Sequence, residues 1–306
     1  MTQIRVELPE ALTRMPVKAF LTQKEGISST QWKRIKHSGT FRVNGILCNA
    51  ARTEVRSGDI ITFDIVRPSD IEPEDLPLDI RYEDDYLMVV NKPAGQLVHP
   101  TTKEAHGTLG NAVLYWYRAH GEHHAYHPVP RLDRNTSGLV LLAKVPQVHY
   151  KLTPRRGEGK LFHREYLALI EGELTPPEGL IDAPIARALP SIILRKVSPD
   201  GQAARTHYDT VQTDGHLSLV HLMLDTGRTH QIRVHLTSIG HPLVGDPKYG
   251  RRSSPFAIAG QALHSLTLDL THPMTRQPMR FMAPLPEDMA RILAALRARR
   301  SRGEER

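Results

Sequence analysis

Arg131-Leu132-Asp133-Arg134-Asn135-Thr136-Ser137-Gly138, running directly into Leu139-Val140-Leu141-Leu142-Ala143, decides how the rest of this chain is read. A Thr-Ser-Gly turn opens onto a short apolar run of the length and composition of a buried strand. One carboxylate, Asp133, sits between two arginines just before that strand. A solvated aspartate needs no such setting. A nucleophile does, because it must be ionised, fixed on a rigid element and aimed at one atom. A second stretch, Gly227-Arg228-Thr229-His230-Gln231-Ile232-Arg233-Val234-His235, follows about a hundred residues later and offers cations to complete such a site.

Around that strand, Ile80 to Tyr82 and Tyr86 to Val90 flank Glu83-Asp84-Asp85 as a hairpin. Short β-rich runs recur at Tyr166 to Ile170, Ile192 to Val197, Thr206 to Val211 and Leu217 to Leu224, and residues 262–270 alternate in strand period. Thr108 to Tyr117 and Thr229 to Ile239 read as helices. In the second, Ile232, Leu236 and Ile239 share one face, and His230, Arg233 and Thr237 another. Strands mixed with few helices predict an α+β fold rather than alternating βαβ units.

The chain divides into a first unit over 1–66, a linker over 67–79, a larger unit over 80–295 and a basic tail over 296–306. In the first unit, Val17, Phe20 and Leu21 recur at helical spacing. Ser28, Ser29 and Thr30 offer an N-cap for a second helix, Gln31 to His37, which carries Lys33, Arg34 and Lys36, with Gly39 as its C-cap. Thr40 to Val43, the Asn44-Gly45 turn and Ile46-Leu47 form a hairpin, and Gly58-Asp59 precedes a strand over Ile60 to Ile65. The linker holds Pro68, Pro73 and Pro77 among five acidic residues, a composition that removes backbone donors and resists regular structure. The tail begins as a helix at Glu287, with Met289, Ile292, Leu293 and Leu296 on one face, and ends in Arg297, Arg299, Arg300 and Arg302 as a solvated terminus.

Hydrophobic content of 40 % and charged content of 24 % over 306 residues are ordinary for a globular protein. Forty Lys and Arg against 33 Asp and Glu give a formal charge of +7, which favours a polyanionic partner through counterion release. Cys48 is the only cysteine, which excludes an intrachain disulfide and a thiolate metal cluster. No apolar run approaches the ~18–20 residues that cross a bilayer, and the start is too polar for a signal peptide. The sequence therefore reads as a soluble, cytoplasmic protein with no membrane partner, and nothing in it demands more than a monomer. His120, His123, His124 and His127 lie in an irregular, Gly-containing stretch and read as a solvated loop rather than a metal site. Asp225 and Asp246 read as turn residues, since one precedes Thr226-Gly227 and the other Pro247.

Five blocks stand in a telling order: Asn91-Lys92-Pro93-Ala94-Gly95-Gln96-Leu97-Val98-His99-Pro100, the Asp133 stretch, Arg164-Glu165-Tyr166-Leu167-Ala168-Leu169, Gly227 to His235, and Gly240-His241-Pro242-Leu243-Val244-Gly245-Asp246. In these the chain resembles the pseudouridine synthases of the large-subunit-rRNA/tRNA type over about Ile80 to Pro286, and its first unit resembles the S4 RNA-binding domain. The resemblance implies a mixed, largely antiparallel sheet flanked by helices, with the active site in a cleft across its face. It implies an isomerase that breaks the bond from ribose to N1 of a uridine within RNA, turns the uracil and bonds it through C5. No redox change or net group transfer is involved, so no cofactor is implied. No Gly-rich phosphate loop follows a strand here, in keeping with that.

By resemblance, Asp133 matches the family's catalytic aspartate. It acts on a sugar that gains positive character, by attack or by assisting a glycal-type intermediate; the sequence leaves both routes open. Arg233 matches the arginine that pairs with it, since a guanidinium fork favours a charged carboxylate and fixes its rotamer. Tyr166 matches the tyrosine that packs on the target base, with a hydroxyl placed for the C5 proton. Leu263 is a candidate for the apolar pocket wall. Arg131, Arg134 and His230 are candidates for RNA contacts around an extruded nucleotide, and Lys33, Arg34 and Lys36 for a grip from the first unit. The chain departs from the family at Pro130, usually histidine, and at Arg164, usually lysine. The rival reading is a non-catalytic RNA-binding or ribosome-assembly protein on the same fold.

Overall fold

A computed structural model gives the structure, describing residues 2–9, 14–23, 25, 27, 32, 35–36, 40–65, 71–129, 131–153, 162–250 and 256–304. The chain forms two compact units: Met1–Asp70 with Gly121–Ala125, and Ile71–His120 with Tyr126–Arg306.

In the smaller unit, the helix Val17–Gln23 buries Val17, Phe20 and Leu21 against Phe41, Val55 and Phe63. Its four-stranded sheet runs in the order Thr2–Glu7, Ile60–Ile65, Arg42–Val43, Ile46–Leu47. Asn44 (φ 49°) and Gly45 (φ 81°) make the hairpin turn, a left-handed pair that this dipeptide tolerates well. The Asn44 side chain also accepts from the Ile60 N–H at 2.8 Å, which ties the turn to the next strand. Of the expected second helix, Trp32, Ile35 and Lys36 are helical; Trp32 and Ile35 are buried and Lys36 is exposed. Lys33, Arg34, Gly39 and the Ser28 to Thr30 cap lie outside the described residues.

The larger unit is built on a ten-stranded sheet. Glu178–Asp182, Arg205–Thr213, Leu217–Leu224, Phe162–Glu171, Leu263–Thr271, Ser137–Ala143, Leu87–Lys92 and Ile80–Glu83 lie side by side in that order. Pro278–Met282 adds to Leu263–Thr271, and His127–Pro128 to Ser137–Ala143. Among the described residues every pairing in this sheet is antiparallel except that of Ser137–Ala143 with Leu263–Thr271, which is parallel. The fold is α+β.

Both faces of the sheet's centre are covered. Met88, Val90, Val140 and Leu142 share one core with Val113 and Tyr117 of the helix Leu109–Ala119 and with Ile232 and Leu236 of the helix Gln231–Ser238. Leu87, Val89, Leu139 and Leu141 point to the other side, with Val148 and Leu152 of the helix Pro146–Leu152. That is why 139–143 reads as an unbroken apolar run instead of an alternation. Further along, Met289, Ile292 and Leu293 of the helix Glu287–Glu304 cover Leu169, Leu217 and Leu219.

Residues 71–79 form no helix or strand, as expected of the linker, and they pack within the larger unit. Ile71 is buried in the main core, the Glu72 carbonyl accepts from Asn111 Nδ2 at 2.7 Å, and the Glu74 carboxylate accepts from the Gly107 N–H at 2.9 Å. Prolines bar a ladder, but they leave carbonyls and acidic side chains free to accept. The run Ile192 to Val197 is a strand only over Arg195–Val197. Ser191 Oγ accepts from the Ile193 and Leu194 N–H groups and turns the chain, leaving Ile192 76 % exposed. The later helix starts at Gln231, with His230 at its N-cap in a left-handed conformation (φ 60°), and Ile239 falls outside its buried face. The helix at the C-terminal end continues through the expected tail to Glu304.

Candidate active site

The parallel seam assembles the site. Gly138 has φ 104°, and a Cβ there would lie 2.2 Å from the Ser265 carbonyl oxygen. Only glycine lets the two strands lie this close. Ser265 also pairs with Tyr166 on its other side, so the seam sets the turn carrying Asp133 one strand away from Tyr166. Lys92, fully buried, fixes that turn from beneath. Its Nζ donates to the carbonyls of Pro93 at 2.7 Å, Gln96 at 2.8 Å and Arg134 at 2.9 Å. Three acceptors suit the three hydrogens of an ammonium. Burial nevertheless pulls its pKa down to about 7, with Asp133 opposing the fall and Arg134 adding to it.

Arg233 projects from the helix Gln231–Ser238 and its side chain is 3 % exposed. Its Nη1 donates to Asp133 Oδ2 at 2.8 Å, while Nε and Nη2 donate to the two oxygens of Asp246, each at 2.7 Å. Burial alone would lower the pKa of Arg233, but the two carboxylates raise it above its ordinary value. Asp246 shows the mirror case. Burial pushes its carboxyl up, and Arg233 with the Lys248 and Tyr249 N–H groups holds it below the usual carboxylate range. One guanidinium between two carboxylates leaves the cluster one negative charge in excess, and Asp133 is the carboxylate at its open end.

The helix is aimed by the segment before it. The Gln231 side chain accepts from the Arg228 N–H and the Thr226 hydroxyl, and donates to the Arg205 carbonyl and the Thr206 hydroxyl. His230 places Nε2 3.7 Å from Asp133 Oδ2, and Nδ1 lies 2.7 Å from the Tyr249 hydroxyl. Burial holds the His230 pKa below its ordinary value, against the pull of Asp133.

The cleft is lined by Asp133, Tyr166, Arg164, His230, Arg233 and Leu263, with Arg131 and Arg228 at its rim. Tyr166 is buried, and the Arg164 guanidinium lies 5.5 Å from its ring centroid. Burial raises the pKa of the Tyr166 hydroxyl; Arg164 opposes this and Asp133 adds to it. Arg164 Nη1 is buried with no hydrogen-bond partner among the described residues, an unspent donor in a site that suits an anionic ligand. Arg131 is exposed, whereas the Arg134 guanidinium already pairs with Glu104. His230 sits within the site beside Asp133, with an 8 % exposed side chain, rather than on the outer surface.

Three residues of this arrangement were not singled out from sequence. Asp246 does cap a turn, as expected, but it is also the buried clamp on Arg233, a role hinted at only by its place after the apolar run Leu243-Val244. Lys92 ends a buried strand, where a lysine must find carbonyls. Tyr249 carried no signal of its own. Asp225 is exposed and pairs with Arg205 and His207. His127 is buried in a strand, and no cluster of His, Cys, Asp or Glu placed to hold a metal occurs among the described residues. Pro130 lies outside them.

A family model described as RNA pseudouridylate synthase matches residues 86–238. The chain is 40 % identical over 272 residues to YjbO of Bacillus subtilis, an uncharacterized RNA pseudouridine synthase, covering 88 % of this chain and 95 % of the relative. It is 38 % identical over 303 residues to YlyB of the same organism, an uncharacterized RNA pseudouridine synthase, covering 97 % and 99 %. It is 38 % identical over 281 residues to the ribosomal large subunit pseudouridine synthase D of Nitrosomonas europaea, covering 87 % and 81 %. Its fold is similar to that of human RNA pseudouridylate synthase domain containing 4, with a TM-score of 0.56 at 22 % identity, covering 72 % of this chain and 93 % of that one. No helix among the described residues is long and apolar enough to cross a membrane.

Proposed function

The chain belongs to the RNA pseudouridylate synthase family, and on that premise we propose that Asp133 is the nucleophile with which it isomerises uridine in RNA. The observation that carries this reading is a carboxylate, about one quarter exposed, gripped by a buried guanidinium in a cleft beside Tyr166. Both contacts of Asp133 fall on Oδ2, so Oδ1 is the oxygen free of Arg233 and presented to a sugar. As the bond from C1′ to N1 breaks, the electron pair leaves with the uracil, and the carboxylate meets the positive character at C1′ or draws off the 2′ proton of a glycal route. The uracil turns, C5 bonds to C1′, C5 loses its proton and N1 gains one. Atoms balance with nothing added.

In this reading Tyr166 supplies a face on which the uracil is held while detached, and its hydroxyl is placed to relay the proton that leaves C5. Leu263 closes the apolar side. Arg131 at the rim, and Arg134 by exchanging Glu104 for a phosphate, hold the flanking backbone of an extruded nucleotide, and His230 keeps to the interior. The S4-like first unit grips RNA beyond the cleft through Lys33, Arg34 and Lys36. The protein acts as a monomer in the cytoplasm, and its substrate is ribosomal or transfer RNA. Large-subunit ribosomal RNA is the first to test, because the Nitrosomonas relative carries that name.

Carbodiimide mapping of pseudouridine in cellular RNA, with and without the gene, reads substrate and position together. Complementation with Asp133→Asn is expected to restore none of the lost sites; full restoration would remove Asp133 from the role of nucleophile. Replacing Lys33, Arg34 and Lys36 together by Ala is expected to weaken RNA binding and to lower the slope of log affinity against log salt by up to about 3. An unchanged slope would remove that helix from the interface.

A further inference from the structure

We propose that Tyr249 is a positioning residue: its hydroxyl selects the tautomer of His230 that faces Asp133, and thereby joins the site to the hairpin that carries Arg195. This rests on the reading of Asp133 as the nucleophile.

The Tyr249 oxygen accepts the backbone N–H of Arg195 at 2.9 Å and lies 2.7 Å from His230 Nδ1. A phenol has one proton to give. Of the two groups that meet that hydroxyl, the Arg195 N–H can only donate, so the acceptor within reach of the phenol proton among the described residues is Nδ1. A neutral imidazole that accepts at Nδ1 carries its hydrogen on Nε2. Nε2 is the atom 3.7 Å from Asp133 Oδ2. At that separation the contact is longer than a hydrogen bond, but its sign depends on the tautomer. An N–H directed at a carboxylate is attractive, and a lone pair directed at it is repulsive. The two ends of the ring therefore agree on one proton position. Burial favours the neutral ring, as do Arg233, Lys248 and Arg195, while Asp133 works against it.

The rest of Tyr249 is equally placed. Its ring meets His230 edge-on, with centroids 5.5 Å apart at 74°, and lies 5.0 Å from the Arg233 guanidinium. One side chain thus touches both groups that flank Asp133. Arg195 opens the strand Arg195–Val197, which pairs with Ile185–Arg187. The turn between them exposes Leu189 and Ile192. A displacement of this hairpin that breaks the Arg195 bond takes away one donor from the Tyr249 oxygen and so weakens the tautomer preference at Asp133.

The test is nitrogen-15 side-chain NMR on the full chain without RNA, with His230 assigned by its loss in His230→Asn. The wild type is expected to show a protonated Nε2 and a bare Nδ1. Tyr249→Phe is expected to give a mixed or inverted tautomer, with kcat lowered about tenfold and KM for RNA within about twofold. A wild-type ring protonated at Nδ1 overturns the proposal without any variant being needed. So does a Tyr249→Phe protein whose tautomer is unchanged, whatever its rate, since lost packing alone would slow the enzyme too. The tautomer is read on the resting protein, whereas the role of Asp133 is read from Asp133→Asn turnover, so the two ideas fail separately.

Discussion

Asp246 and Asp133 hold the same guanidinium from two different turns of the larger unit. The Asp246 side chain has no exposed surface, takes two bonds from Arg233 and caps the Lys248 and Tyr249 N–H groups; that of Asp133 is 26 % exposed and takes one bond. The residue type is the same, and the environment divides the labour. A carboxylate whose oxygens are all occupied is committed to holding a cation in place. One that keeps an oxygen free and a face toward solvent can still react. The comparison also explains the burial of Arg233, because a guanidinium saturated on one side by Asp246 presents a fixed, dry edge to Asp133.

The widest separation between the two is expected on replacing each in turn. Asp133→Asn should cost at least about a thousandfold in turnover while shifting urea stability by less than about 1 kcal/mol, as for a part-exposed pair. If stability fell as far as activity, Asp133 would be another structural clamp. Asp246→Asn should do the reverse in kind. It leaves a buried arginine short of its main partner and should destabilise the fold by about 3–5 kcal/mol in urea unfolding. Stability near that of the wild type would mean that the bidentate clamp is not what keeps Arg233 in place.

Arg233→Lys sharpens the comparison at its hinge. An ammonium cannot reproduce a fork that serves two carboxylates in one plane, so turnover should drop about 10- to 100-fold with RNA affinity little changed. A variant as active as wild type would show that charge alone suffices. The smallest effect expected is on pH dependence. The Asp246 pKa lies lower in the folded chain than in the unfolded one, so the unfolded state binds the proton first as pH falls. The stabilisation is complete above about pH 5 and is lost below about pH 4, through the folded pKa. Urea midpoints of the wild type should fall across that window more steeply than those of Asp246→Asn; parallel slopes would disconnect Asp246 from acid stability.

What the sequence revealed follows from which interactions are local. Leu139 to Ala143 reads as a buried strand because both faces of the sheet centre are covered, and Asn44-Gly45 reads as a turn because its backbone requirement is written in two adjacent residues. The pairing of Arg233 with Asp133, 100 positions apart, was legible only through the resemblance. The clamp from Asp246, the cage of Lys92 and the bridge by Tyr249 depend on partners brought in by the sheet, and no spacing in the chain announces them. The apolar Ile192 and Ile193 misled for the opposite reason, since composition promised burial that a serine-capped turn denies.

The contact between Gly138 and Ser265 has a consequence for when the protein becomes an enzyme. The segments it joins lie far apart in the chain, as the bond from Ser137 to His264 across 127 positions shows. During synthesis the Asp133 turn leaves the ribosome long before the strand that must lie against it. A nascent chain short of that strand carries the carboxylate without its neighbour, and loop closure over such a span comes late in folding. The carboxylate proposed as nucleophile thus gains its setting only when the strand Leu263–Thr271 joins the sheet, at the one parallel pairing among the described residues.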